Sequence, residues 1–356
     1  MANFPLNIDV LFVAALAPVL GVVAFWFLQM FFIEIQKRTL SRLRHRHEAF
    51  CRFTNYIGIL FQTISQGLGY TVTRSGVASF QVTVNYGKVE PKKEKEGVFE
   101  WVARSFLLFG PFFIPAGLVL LVSYFIIGKG FIITTPVQHT FVESLTGFWG
   151  SLVTFANEWA GFLLNIDLFN PLHIGFLFVL LFFGLGIRPS YIGQERKEKI
   201  DILYDLRHIK NHLVEKPLYI VVIILFLYVF YVLSLLFNPA VYLGLFTIFG
   251  WMSLTAIIAI LLTFPVLLLI RATDEIQPRW KLIPLVTLIV SYVVARVFFI
   301  YFPMKEVERV SLLVMLLSTI LITIAMIKYK RTNRFKTATK MKHVRVADGK
   351  KRTTKK

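Results

Sequence analysis

Cysteine is almost absent from this chain: Cys51 stands alone among 356 residues, so no internal disulfide can form and a disulfide-stapled fold is excluded. Acid is scarce too, with 20 Asp and Glu against 39 Lys and Arg, a formal charge of +19. There is no nucleotide-binding glycine loop, no convincing nucleophile triad and no internal repeat. The apolar runs hold no succession of Asp or Glu that would relay protons. No short apolar opening with a small-residue cleavage site precedes the first hydrophobic run, which therefore reads as a retained span and not a removable signal. Polar cover is itself in short supply. With 56% hydrophobic residues and a mean hydropathy of +0.67, the chain is too apolar for a soluble domain and reads as a polytopic membrane protein.

The positive charge is concentrated. Residues 328–356 hold thirteen Lys or Arg against the single Asp348. Such a block, without apolar periodicity, is expected to be a disordered, solvated tail on the cytoplasmic side. Its contacts, represented by Lys350, Lys351 and Arg352, are anionic lipid in one reading and RNA, such as a membrane-bound ribosome, in the other. Only Phe335 and His343 could stack on bases beyond Tyr329, and DNA is not an expected partner.

Hydropathy divides the chain into five parts. Residues 1–53 contain a span at 10–35 followed by a basic juxtamembrane helix, with six Lys or Arg between Lys37 and Arg52. Residues 54–190 form a membrane core, with spans at 103–127 and 169–187. Residues 131–165 read as helices lying in the interface. Residues 191–216 carry Ile200, Leu203, Leu206, Ile209 and Leu213 at helical spacing, which predicts a cytoplasmic amphipathic helix ended by Pro217. Four more spans, near 217–237, 245–270, 282–302 and 310–328, precede the tail at 329–356. The expected fold is all-α, with about seven or eight transmembrane helices. The count turns on the run 54–70: charge rules make both its flanks cytoplasmic, which suits a re-entrant element, whereas an eight-span arrangement has it cross.

That run holds the most suggestive pattern. Gln62 and Gln66, four residues apart, share one helical face beside Thr63. In a His-Glu-x-x-His helix these places carry two zinc ligands and the general base. Downstream, residues 71–89 alternate Phe80, Val82 and Val84 with Gln81, Thr83 and Asn85 between Gly76 and Gly87, the period of a strand pair with one apolar face. Gly110-Pro111 follows in a span, and Asn170-Pro171 precedes another. In this order, residues 54–190 resemble the membrane core of site-2 protease-like intramembrane zinc metalloproteases. The resemblance implies a hairpin lying against the active site and holding substrate in extended form. It also implies a third metal ligand after the Asn-Pro element, where this chain has His173 and no Asp-Gly.

Neutral amides are poor zinc ligands and a threonine cannot deprotonate a metal-bound water, so no catalytic residue, metal or cofactor is expected at Gln62, Thr63 and Gln66. Other groupings are weaker. His47, Glu48 and Cys51 approximate a ligand string but sit among Arg44, Arg46 and Arg52. Asp201, Asp205, His208 and His212 fall on one face of the predicted inner helix, where a divalent metal competes with plain charge pairing. Arg188-Pro189-Ser190 reads as an inside anchor, and Arg296 as an intramembrane charge close enough to the interface to snorkel.

Together these features predict a degenerate, non-catalytic membrane protein of multi-pass type in the cell membrane. It would bind transmembrane or extended polypeptide segments in a cleft around Gln62, Gln66, Gly110, Pro111, Asn170, Pro171 and His173, as a chaperone, adaptor or assembly factor. The competing readings are an active metalloprotease with ligands such as Asp167 and His173, and a small-solute transporter, whose expected repeat is missing.

Overall fold

The computed structural model describes residues 8–44, 46–127, 140–188, 202–302 and 305–353. The chain is an all-α, multi-pass membrane protein with one small antiparallel hairpin after its second helix. In order, α1 is Leu16–Leu43, α2 Glu48–Val72, β1 Val77–Val82, β2 Gly87–Pro91, α3 Val98–Ile127, α4 Phe141–Leu164 and α5 Pro171–Gly186. After these come α6 Ile202–Glu215, α7 Pro217–Phe237, α8 Pro239–Thr273, α9 Ile283–Tyr301 and α10 Val307–Thr353. Among the described residues, six stretches are long and apolar enough to cross a bilayer: Leu16–Leu43, Val98–Ile126, Pro217–Phe237, Ala240–Thr273, Pro278–Phe299 and Val307–Lys330. At 16 residues, α5 is a shorter apolar helix of about 24 Å, less than a hydrocarbon core. The 25-residue α2 is long enough to cross but is not among the six.

The chain divides into two compact units. The first comprises residues 1–162 and 168–264, the second residues 163–167 and 265–356. The boundary thus falls at Pro265 inside α8, and not at Pro217 where the four-span region was expected to begin. The reason is packing at the start of the chain. A π-helical turn, Asp9–Val13, leads into α1, and Tyr231 and Tyr242 donate their hydroxyls to the carbonyls of Val10 and Ala15. Val10, Ala14, Ala15, Leu235 and Phe246 close an apolar cluster around these rings, tying α7 and the first part of α8 to α1.

In the first unit, α2 and α3 pack antiparallel through small residues. A Cβ added at Gly110 would lie 2.6 Å from Ser65 Cβ, and one added at Gly69 would lie 2.9 Å from the Ala103 carbonyl. Only glycine permits so close an approach. Pro111 and Pro115 withhold two amides from the α3 ladder, and the neighbouring Phe112 carbonyl accepts a 3.0 Å bond from Gln29 on α1. The segment expected to lie in the interface is, over its described part, the single helix α4. Its buried Phe148 fills a slot made by Gly21 of α1 and Gly250 of α8, while Phe155 stacks on Trp251 at 5.2 Å. Residues 131–139 lie outside the described residues.

In the second unit, α9 and α10 pack side by side. Arg296 is not a lone snorkelling charge: it bonds Asp167 at 2.9 Å and Glu308 at 3.0 Å, while Tyr292 donates to Asp167 at 3.1 Å. Asp167 lies in the loop between α4 and α5 and Glu308 in the first turn of α10, both outside the spans read from hydropathy at 169–187 and 310–328. The basic tail also departs from expectation. Its backbone continues α10 to Thr353, a stretch free of proline and with Gly349 as its sole glycine.

Candidate functional site

The hairpin and α2 form one assembly. The turn after α2 needs left-handed backbone at Arg74 and Gly76, with φ of 55° and 65°. β1 and β2 then pair in the register Phe80 with Val89 and Val82 with Gly87, with an irregularity between Val77 and Ser79. The predicted hairpin is thus present, but at 77–91 and not 71–89: Thr71 and Val72 close α2, residues 83–86 make the turn, and the pair lies across α2. Gly87 sits so close to Thr63 and Ile59 that a side chain there would collide with both, and Phe80 and Val77 lie over Gly67. Ile59, Thr63 and Gly67 are spaced by four and make one helical face. Gln62 and Gln66 lie on the adjoining face, partly buried, and Gln66 Nε2 donates to the Tyr70 hydroxyl at 3.3 Å. Thr63, 2% exposed, spends its hydroxyl on the Ile59 carbonyl at 2.7 Å.

The rest of the expected cleft is only partly assembled. Gly110 meets α2 at Ser65, not at the glutamines, with Pro111 buried beside it. Asn170 and Pro171 are exposed and serve as cap and first residue of α5, the Asn170 side chain accepting from the Leu172 amide at 3.0 Å. His173 packs edge-on against Phe162. The end of α5 that touches α2 is the opposite one, where Gly186 lies on Ile57 and Phe61. Sixteen helical steps, about 24 Å, separate that contact from Asn170. Asn170 caps the far end of that helix.

The other sequence candidates disperse as well. Asp205 is ion-paired with Lys37 at 2.6 Å, His208 lies edge-on to Tyr204, and His212 bonds Ser105 at 2.9 Å and stacks on Trp101 at 4.8 Å. Cys51 is buried with its thiol 3.6 Å from the Leu40 carbonyl, while Glu48 faces Arg52 at 4.0 Å. Among the described residues, no three His, Cys, Asp or Glu side chains come together as metal ligands would. Pro189, Ser190 and Asp201 lie outside the described residues, and Lys350, Lys351 and Arg352 are described in backbone only. No family model matches the chain, and neither the curated proteins nor the solved structures contain a match.

What sequence reasoning missed is a set of buried polar side chains around α1 and α5. Gln36, fully buried, donates to the Gly184 carbonyl at 3.0 Å and to Thr263 Oγ1 at 2.9 Å, joining α1, α5 and α8. Lys37 carries the same linkage to α6 through Asp205. Arg188, 1% exposed at the end of α5, donates through Nη2 to Asn55 at 3.0 Å. The polar letters at the end of the first apolar run were a visible signal, but they look like a span fading into its flank.

Of the amphipathic helix expected over 191–216, the described part is α6, Ile202–Glu215, which packs on α1 and α3. Trp101 Nε1 donates to the His212 carbonyl at 3.2 Å, so the stack is held at both ends. Burial lowers the His212 imidazole below its usual value, with Glu215 opposing and Arg104 reinforcing the shift. The folded chain thus prefers the neutral ring. Its contribution to docking is complete above the unfolded-state value of about 6.5 and is lost as pH falls through that range. Hydrogen exchange of the α6 amides, corrected for intrinsic rates, should accelerate as pH falls below about 6.5. A His212→Gln variant should show no such acid step.

Proposed function

We propose that this chain is a non-catalytic membrane protein that binds a transmembrane or extended polypeptide segment along the hairpin and α2, acting as a chaperone, adaptor or assembly factor. The observation that carries the reading is the hairpin itself. It is a two-stranded sheet clamped onto α2 at Thr63, and among the described residues β1 pairs with β2 alone. Its outer edge therefore keeps backbone donors and acceptors for an incoming strand, the means by which extended peptides are recognised. Gln62 and Gln66 on the next face of α2 supply amides that can hydrogen-bond the backbone of a segment unwound within the membrane.

The layout of α2, hairpin and α3 supports kinship with site-2 protease-like proteins, as a member whose metal positions have become Gln62, Thr63 and Gln66. The concentration of Lys and Arg in α10 supports a cytoplasmic carboxy terminus in the cell membrane, with lipid or ribosomal RNA as the tail's partner.

The test is photo-crosslinking from Gln81 on β1 in proteoliposomes containing a single-span peptide. A peptide with a Gly-Pro break at its centre should crosslink several-fold more from Gln81 than from Val222, an exposed apolar position on α7. Equal yields from the two positions would overturn the proposal, as would stoichiometric zinc in the purified protein.

A further inference from the structure

Arg188 is a buried cation without a buried anion. Its side chain follows the last turn of α5 and lies along one stripe of α2 formed by Cys51, Asn55 and Gly58, residues spaced by four and three. Gly58 makes this possible, since a Cβ there would stand 3.1 Å from Arg188 Nε. Of the guanidinium nitrogens, Nη2 reaches Asn55, while Nε and Nη1 are buried with no partner. Among the described residues no carboxylate pairs with it, and the ionisable group nearest in effect is Cys51, itself acted on by Arg44.

A buried guanidinium with two idle donors costs several kcal/mol unless an acceptor is supplied. Among the described residues the other enclosed charges have partners: Lys37 has Asp205, Asp274 has Lys281, and the half-buried Arg296 has Asp167 and Glu308. The unmatched one sits just past the end of an apolar helix, against the part of α2 that follows the basic stretch between Lys37 and Arg52. At a bilayer boundary the abundant anion is phosphate, and a guanidinium fork matches its oxygens with two parallel bonds.

We propose that Arg188, with the Cys51–Asn55–Gly58 stripe of α2, forms a binding site for a phosphate group, supplied either by a phospholipid headgroup or by free phosphate. Nη1 and the second N–H of Nη2 present the end-on fork to the phosphate oxygens, while Asn55 holds the guanidinium in position through the other N–H of Nη2. This site is separate from the hairpin edge, and its fate in the test below leaves the polypeptide-binding reading untouched.

The experiment uses the full chain, stripped of lipid in a mild detergent, and follows thermal unfolding. Three additions are compared at equal ionic strength: sodium chloride, inorganic phosphate and short-chain phosphatidylglycerol. The wild type should gain several degrees with a phosphate-bearing compound and none with chloride. A gain with the lipid alone assigns the headgroup, and a gain with inorganic phosphate alone assigns the free ion. Arg188→Met should lose the response, with apparent affinity at least about tenfold weaker. Gly58→Ala, which crowds Nε, should weaken it in the same direction. Should Arg188→Met fail to fold, Arg188→Lys serves in its place, keeping the charge but losing the fork and the response. Equal gains in wild type and Arg188 variants, or no gain with either phosphate compound, would overturn the proposal.

Discussion

Replacing Lys37 with methionine should destabilise the first unit by about 3 kcal/mol or more, among the largest losses available from a single side chain. Lys37 and Asp205 are both under a tenth exposed, and their 2.6 Å contact crosses from α1 to α6. The lost attraction is only part of the cost. The Asp205 carboxylate would stay buried among Met30, Ile33 and Phe112 with its ammonium partner gone. The same argument predicts rescue: Lys37→Met with Asp205→Leu removes both charges and should recover most of the loss. Denaturant unfolding of the single and double variants in one detergent gives the coupling directly. Failure of the double variant to recover would mean that the pair does more than satisfy itself.

Gly184→Leu should be at least as damaging, at about 3 kcal/mol, through overpacking. At Gly184, α5 crosses α8 so closely that any side chain would meet the Ala259 carbonyl and Thr263. Backbone cannot move aside as the tip of a long side chain can. The Gly184 carbonyl also accepts from Gln36, so forcing the helices apart breaks a buried hydrogen bond as well. Gly175→Leu on the same helix, where open space surrounds the glycine, should be nearly neutral and controls for helix propensity. Unfolding curves of the two variants should therefore separate widely, and coincident curves would contradict the close crossing.

These two sites mark the limit of what the sequence could reveal. The hairpin was legible because a two-residue period between Gly76 and Gly87 is local chemistry, and α6 was legible from its three-and-four spacing and the proline that follows. Gln36 was not: its partners stand 148 and 227 residues away, and nothing near it encodes them. Arg296 misled for a similar reason, because its acids come from the loop between α4 and α5 and from the first turn of α10. Asn170-Pro171 has a local role as well. The pair reads as a motif, but capping and opening a helix accounts for it fully, and that role occurs in any fold.

Gln36 also bears on how this protein is made. In the order of synthesis α1 precedes α8, so α1 enters the membrane before Thr263 has been made. Its amide must meanwhile find a temporary acceptor or keep to the water-filled side of the insertion machinery, because hydrocarbon offers none. Thus α1 reaches its final contacts only once α8 has been made, and truncation before α8 should leave Gln36 without its Thr263 acceptor.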